Sequence, residues 1–137
     1  FIFTIPSPDP GNKDIIKNIK NYCKHNKNCY FVKSFGKVYY FSTLKIVDAV
    51  LGNSSSGILE VPSFKKTTIN IGNRQLGRLQ ATSIINCKLD FVDITKAIRK
   101  VFSVEQKKLI SKTKNIFYKK NTSHKIIKTI KSFLNNE

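Results

Sequence analysis

The sequence is poor in the residues that bind metal ions and redox centres. It has three cysteines and two histidines. Cys23, Cys29 and Cys87 show no CxxC spacing, and His25 and His124 are isolated. A protein zinc site needs such ligands at short, regular spacing. We therefore expect no metal and no cofactor, and we expect reduced, mostly buried thiols of the kind found in cytosolic proteins.

Long hydrophobic runs and methionine are also missing. No apolar stretch approaches the roughly 18 residues that a membrane-spanning helix requires. We therefore predict no membrane partner and a cytoplasmic location, and we expect the lysine-rich amphipathic segment 123–134 to pack against its own protein. Since methionine is absent, the 137 residues are expected to be part of a longer protein.

Acidic residues are few. Eight Asp and Glu stand against 25 Lys and Arg, which gives a formal net charge of +17, and basic surfaces can bind nucleic acid through counterion release. Here the lysines are spread from Lys13 to Lys131, with no arginine-rich helix and no interleaved aromatic residues. Abundant lysine, asparagine and isoleucine together indicate a compositional bias. We expect no specific nucleic-acid partner, and a basic binding module without catalysis stays an alternative.

Apolar periodicity predicts alternating strands and helices, which is the order of an α/β fold with parallel strands. The predicted strands are 1–5, 28–33, 48–51, 67–71 and 81–87. The predicted helices are 14–25, 38–47, 55–64, 94–101, 103–111 and 123–134. Ser54 and Ser123 are the predicted N-caps of the helices that follow them. No repeat, low-complexity linker or interior boundary is visible.

The decapeptide GNSSSGILEV, residues 52–61, is the most informative motif. It follows an apolar strand and opens a predicted helix, and its small residues let a ligand approach the backbone closely. The N-terminus of a helix attracts anions, and the hydroxyls of Ser54, Ser55 and Ser56 add donors. The carboxylate of Glu60 is placed to accept hydrogen bonds from ligand hydroxyls. A phosphate and a sugar diol together describe a nucleotide.

Serine- and glycine-rich turns between strands and helices are common, and most of them bind no ligand. The sequence contains neither GxGxxG nor GxxxxGK[ST], so it has no dinucleotide fingerprint and no P-loop. From this turn alone, a phosphate site and an ordinary turn both stay open.

Arginine is rare, because only Arg74, Arg78 and Arg99 carry a guanidinium. Two of the three lie in residues 73–78 (NRQLGR), directly after the fourth predicted strand. The planar arginine fork suits phosphate or carboxylate, whereas lysine is a point charge. In a parallel sheet this loop and the serine-rich turn both follow the C-terminal ends of strands, where open α/β sheets bind ligands. Alternatively, each arginine holds the loops together by pairing with Glu60 or a carbonyl.

Two blocks taken together, residues 52–64 (GNSSSGILEVPSF) and 68–78 (TINIGNRQLGR), closely resemble the hydrolysing UDP-N-acetylglucosamine 2-epimerases and stand at the mutual spacing of that family. The resemblance runs along the whole chain and weakens after residue 98. It implies a Rossmann-like, mostly parallel sheet flanked by helices, as in the C-terminal domain of a two-domain GT-B enzyme. Such enzymes release UDP and N-acetylmannosamine from UDP-N-acetylglucosamine. Relatives that use a diacetamido-sugar carry similar blocks, so the sugar stays open.

The resemblance also implies roles for individual residues. Ser54 and Ser55 would contact the diphosphate of UDP, Glu60 would bind the ribose hydroxyls, and Arg74 would lie against the nucleotide-sugar. Phe35 matches a loop whose backbone reads the uracil ring. The expected UDP-binding set is Ser54, Ser55, Ser56, Gly57, Glu60, Arg74 and Phe35, with Ser7, Asp9 and Arg78 as further candidates. Asp9 matches the family, but Ser7 stands where the family often has a sugar-contacting asparagine.

By the same resemblance, residues 1–137 form a UDP-binding domain that lacks its first strand and helix. The catalytic acid and base would belong to an N-terminal domain outside this sequence, so no catalytic residue is assigned. We expect these residues alone to be inactive and poorly stable, because the strands at 1–5 and 48–51 would have unpaired edges. The full-length enzyme is expected to be a homo-oligomer, either a dimer or a tetramer. The alternative is a GT-B glycosyltransferase domain, which does not usually carry the NRQxGR loop.

Overall fold

Five short strands and six α-helices lie within residues 1–135, which are the residues that the computed structural model describes. The strands are β1 (Ile2–Thr4), β2 (Tyr30–Val32), β3 (Ala49–Gly52), β4 (Thr67–Ile71) and β5 (Ile84–Cys87). The helices are α1 (Asn12–His25), α2 (Gly36–Ile46), α3 (Ser56–Leu59), α4 (Phe91–Val101), α5 (Val104–Lys112) and α6 (Thr122–Leu134), with a 3-10 turn at Val61–Phe64.

All strand pairs are parallel, which confirms the predicted α/β fold. The strands form two sheets, β1-β2 and β3-β4-β5. The chain divides into two compact units, Phe1–Thr43 and the residues from Leu44 onward. The division falls inside α2, in a helix and not in a linker, so composition gives no sign of it.

The first unit is a β1-α1-β2 crossover. Ile2 pairs with Tyr30 and Thr4 with Val32, while α1 returns the chain to the start of the sheet. The ring of Tyr22 on α1 meets Phe3 edge to face at 6.2 Å between centroids, a favoured aromatic geometry. The loops after β1 and β2 therefore leave from the same, carboxyl edge of this sheet.

The second unit is built around β4, whose first four residues are fully buried. Consecutive strand residues point to opposite faces. On one face, Ile69 packs into a core with Ile85 of β5 and with Ala97 and Val101 of α4. On the other face, the Thr68 hydroxyl donates to the Gly57 carbonyl of α3 at 2.7 Å. The sheet thus lies between α4 and α3.

The helix predicted over 55–64 is two shorter pieces, α3 and the 3-10 turn, with Glu60 between them. Pro62 has no N–H to donate, and its ring clashes with the carbonyl four residues earlier, so the α-helix ends before it. The prediction that Ser54 is the N-cap is wrong. Ser55 holds that position without a side-chain cap bond, and the Ser54 hydroxyl oxygen accepts from the Ser56 N–H at 3.3 Å.

Several other boundaries differ from the predicted ones. The helix predicted from residue 94 begins at Phe91, because the Asp90 carboxylate caps it by accepting from the Asp93 N–H at 2.9 Å. The strand predicted over 81–87 is limited to β5. Ser123 is not an N-cap, since α6 already begins at Thr122 after a left-handed residue.

Candidate functional site

The serine-rich turn and the arginine loop lie side by side at one edge of the second sheet. Gly52, at the end of β3, pairs with Asn70 near the end of β4, so both loops leave the sheet at the same level. The Gln75 side-chain amide donates to the backbone carbonyl of Asn53 at 2.8 Å. The predicted position of both loops at the carboxyl ends of neighbouring strands is confirmed.

Gln75 is the inward-pointing residue of the arginine loop. Its side chain is 4% exposed, whereas the neighbouring Leu76 is 83% exposed. Its carbonyl oxygen Oε1 is buried and has no hydrogen-bond partner among the described residues. Sequence reasoning missed this residue, because no local pattern distinguishes a buried loop glutamine from an exposed one.

The backbone of the serine-rich turn offers two donors. The Ser54 carbonyl accepts from the Gly57 N–H at 3.1 Å, and the Ser55 carbonyl accepts from the N–H of Ile58 at 3.0 Å and of Leu59 at 2.9 Å. Within residues 1–135, no acceptor is found for the N–H groups of Ser54 and Ser55 themselves. Because α3 is a single turn, its macrodipole is small, and these individual donors are what the turn presents to an anion.

The carboxylate of Glu60 is held from within α3. The Ser56 hydroxyl donates to Glu60 Oε2 at 2.6 Å, and both residues are half-buried. The Ser56 hydroxyl, predicted as a donor to a ligand, donates to this carboxylate in the structure.

Gly57 is buried, and its backbone lies directly against β4. A Cβ atom at this position would stand 2.6 Å from Cγ2 of Thr68, which is far inside van der Waals contact. The close approach lets the Gly57 carbonyl accept from the Thr68 hydroxyl. Glycine is required here because any side chain would push the serine-rich turn away from the sheet.

Arg74 and Arg78 lie on the exposed side of the arginine loop. Two backbone hydrogen bonds shape the loop, from Leu76 N–H to the Asn73 carbonyl at 2.9 Å and from Arg78 N–H to the Gln75 carbonyl at 3.3 Å. With Gln75 turned inward, Arg74 and Arg78 are exposed on a loop that leaves the same edge as the serine-rich turn.

Three candidate residues belong to the first unit. Ser7 and Asp9 lie in the loop after β1, where the Asp9 carbonyl accepts from the Asn12 N–H at 3.1 Å as α1 begins. Phe35 is half-buried in the loop between β2 and α2. Within their own unit, the structure brings these two loops to the same carboxyl edge.

Other groups of the described residues give no sign of a metal centre or a membrane segment. Burial raises the pKa of the Cys87 thiol, and the carboxylates of Asp93 and Asp90 raise it further. No group of three or more His, Cys, Asp or Glu side chains is arranged to hold a metal ion. None of the helices combines the length and the apolar character needed to cross a bilayer.

The family model for UDP-N-acetylglucosamine 2-epimerase matches residues 1–131 of this chain. The chain belongs to that family. The match covers both compact units, including the serine-rich turn and the arginine loop, and it confirms the resemblance found in the two sequence blocks.

Individual relatives agree with the family match. Polysialic acid biosynthesis protein P7 of Escherichia coli is 34% identical over 98% of this chain and 34% of its own length. The hydrolysing GDP/UDP-N,N'-diacetylbacillosamine 2-epimerase of Campylobacter jejuni is 42% identical over 77% of this chain and 27% of its own length. UDP-N-acetylglucosamine 2-epimerase of Neisseria meningitidis is 31% identical over 72% of this chain and 26% of its own length. The chain thus spans about a third or less of the curated relatives that it matches.

Proposed function

We propose that this chain is the UDP-binding part of a hydrolysing UDP-N-acetylglucosamine 2-epimerase, which converts UDP-N-acetylglucosamine and water to N-acetylmannosamine and UDP. The observation that carries the proposal is the Gln75–Asn53 hydrogen bond. It joins the arginine loop to the serine-rich turn, so that guanidinium groups and unpaired backbone donors belong to one sheet edge.

The diphosphate is bound by the serine-rich turn under this proposal. The N–H groups of Ser54 and Ser55 have no acceptor in the described chain, and their hydroxyls lie on the same turn. Hydrogen bonds to an anionic acceptor are shorter and roughly twice as strong as neutral ones. Arg74 adds a planar bidentate donor, and Arg78 lies on the same loop.

Glu60 binds the ribose. Its carboxylate lies one turn of α3 away from the serine-rich turn and is oriented by Ser56. A carboxylate with two acceptor oxygens matches a vicinal diol, because each hydroxyl can donate to one oxygen. For Phe35, Ser7 and Asp9, which belong to the first unit, we propose only the roles that the family resemblance implies, at the uracil and the sugar.

The reaction of the family is an anti-elimination of UDP to a 2-acetamidoglucal, followed by addition of water on the other face. The catalytic acid and base would come from outside residues 1–137. The residues of this chain hold the leaving UDP and offset the negative charge that develops on it, which is an electrostatic contribution. The whole enzyme would be a cytoplasmic homo-oligomer of GT-B architecture that needs no cofactor.

Titration of the full-length protein with UDP tests the binding proposal. Saturable binding excludes a basic module without a nucleotide site, and no binding overturns the proposal. Turnover by the full-length protein then separates an epimerase from a GT-B glycosyltransferase, since only the epimerase releases N-acetylmannosamine and UDP with water as the sole co-substrate. UDP-N-acetylglucosamine and the UDP-linked diacetamido-sugar should both be assayed, because relatives are named for each.

A further inference from the structure

We propose that Ser56 is a positioning residue, whose hydroxyl fixes the Glu60 carboxylate in the orientation that distinguishes a ribonucleotide from a 2′-deoxyribonucleotide. The inference rests on the proposed function, because it concerns how the same site recognises the sugar of its nucleotide. It adds a residue that acts through Glu60 and does not itself touch the ligand.

The contact joins the two ends of one helical turn. Ser56 is the first residue of α3, Glu60 directly follows the last, and residues four apart lie on the same face of a helix. The Glu60 N–H donates to the Ser56 carbonyl at 2.9 Å, and the Ser56 hydroxyl donates to Glu60 Oε2 at 2.6 Å. Backbone and side chain of Glu60 are therefore both tied to Ser56.

The hydroxyl leaves the carboxylate able to bind a diol. An ionised carboxylate has about four lone-pair sites on two oxygens, and Ser56 occupies one of them on Oε2. Oε1 and the remaining lone pair of Oε2 can accept from two adjacent hydroxyls. With one oxygen held, the plane of the carboxylate is set before the ligand arrives, which reduces the entropy lost on binding.

A positioning role of Ser56 can be distinguished from a purely structural role. If the hydroxyl orients Glu60 toward the ribose, its loss weakens binding of UDP more than binding of 2′-deoxy-UDP, which keeps only one of the two hydroxyls. A general loss of structure would weaken both ligands equally. The decisive quantity is therefore the ratio of the two dissociation constants.

The experiment titrates the full-length protein with UDP and with 2′-deoxy-UDP, comparing the wild type with Ser56→Ala and Ser56→Thr. Ser63→Ala is the matched control. It removes a nearby serine hydroxyl that accepts a hydrogen bond from Asn115 Nδ2, whereas the Ser56 hydroxyl donates to Glu60. We expect Ser56→Ala to lower UDP affinity about three- to tenfold, to lower 2′-deoxy-UDP affinity less, and so to reduce the preference for UDP. Ser56→Thr, which keeps a hydroxyl, should restore the preference, and Ser63→Ala should leave it unchanged.

Two results would overturn the inference alone. In the first, the wild type prefers UDP and Ser56→Ala keeps the same preference. In the second, Ser56→Ala loses affinity for UDP and for 2′-deoxy-UDP by the same factor. Wild-type protein that binds no UDP would instead overturn the proposed function and the inference with it. Thermal unfolding of each variant shows whether a lost affinity reflects a lost fold.

Discussion

The buried side-chain amide of Gln75 donates to the backbone carbonyl of Asn53 at 2.8 Å and so connects two loops that are 22 residues apart. The donor is almost fully removed from water, where an unpaired amide would be costly. The hydrogen bond therefore sets the distance between the arginine loop and the serine-rich turn.

Gln75→Glu should disrupt that connection. The introduced carboxylate would face a carbonyl oxygen in a buried position, and we expect the free energy of unfolding at neutral pH to fall by about 2 kcal/mol or more. Near pH 4 the effect should shrink, because a protonated carboxyl can donate to Asn53. Leu76→Glu adds the same charge at an exposed neighbour and should have little effect. Equal unfolding free energies of the two variants would show that the Gln75–Asn53 hydrogen bond does not stabilise the fold.

Gly57→Ala should destabilise the second unit by about 1–3 kcal/mol, because the new Cβ would overlap Cγ2 of Thr68. Thr68→Ser removes that methyl group and keeps the hydroxyl that donates to the Gly57 carbonyl. The double variant should therefore be more stable than the sum of the two single effects predicts. Chemical denaturation of the four proteins measures this coupling, and strict additivity would show that the contact is unimportant.

Arg74→Lys should lower kcat/KM of the full-length enzyme about tenfold, although the charge is kept, because lysine cannot replace a bidentate fork. Arg99→Lys is the matched control, since Arg99 is exposed on α4, away from the arginine loop. The comparison is made by steady-state kinetics with the UDP-sugar substrate. An unchanged kcat/KM in Arg74→Lys would leave Arg74 a structural role only.

Glu60→Gln should weaken UDP about ten- to a hundredfold, because a charged acceptor of hydrogen bonds is lost. The free energy of unfolding should change much less. Glu105→Gln, an exposed position in the first turn of α5, should leave affinity unchanged. Wild-type protein that binds UDP and 2′-deoxy-UDP equally well would speak against a contact between Glu60 and the 2′-hydroxyl.

Ionisation of the Cys87 thiol should lower the free energy of unfolding at alkaline pH. Burial, followed by the charges of Asp93 and Asp90, raises the pKa of its thiol in the folded protein. The neutral thiol is favoured by folding, so its contribution is complete below the pKa of the unfolded thiol, near 8.5, and is lost as the pH rises through the folded value. Between about pH 7 and 10, the free energy of unfolding should decline less in Cys87→Ser than in the wild type. Identical pH profiles of the two proteins would refute a contribution of Cys87.

Local sequence determined most of the elements. The run TTINI predicted β4 with its observed bounds, Thr67–Ile71, because a continuous β-branched and apolar segment suits a strand buried on both faces. The alternation of strands and helices indicated the parallel pairing of β1 with β2 and of β3 with β4, whereas β4 and β5 pair in parallel with no helix between them. The two blocks around the serine-rich turn and the arginine loop indicated the family. Even the break at Pro62 follows from a local rule about proline.

Tertiary structure decided which side chains of the candidate site meet. Gln75 reaches Asn53, and Gly57 lies against Thr68, only because parallel pairing brings β3 and β4 into register. Ser56 and Glu60 are close in sequence, but their contact depends on residues 56–60 closing a helical turn before Pro62 ends it. Residue type limits what each group can bind, whereas distance and burial decide which partner it has. Distance and burial depend on packing between segments that are far apart in sequence, so local sequence patterns do not predict them.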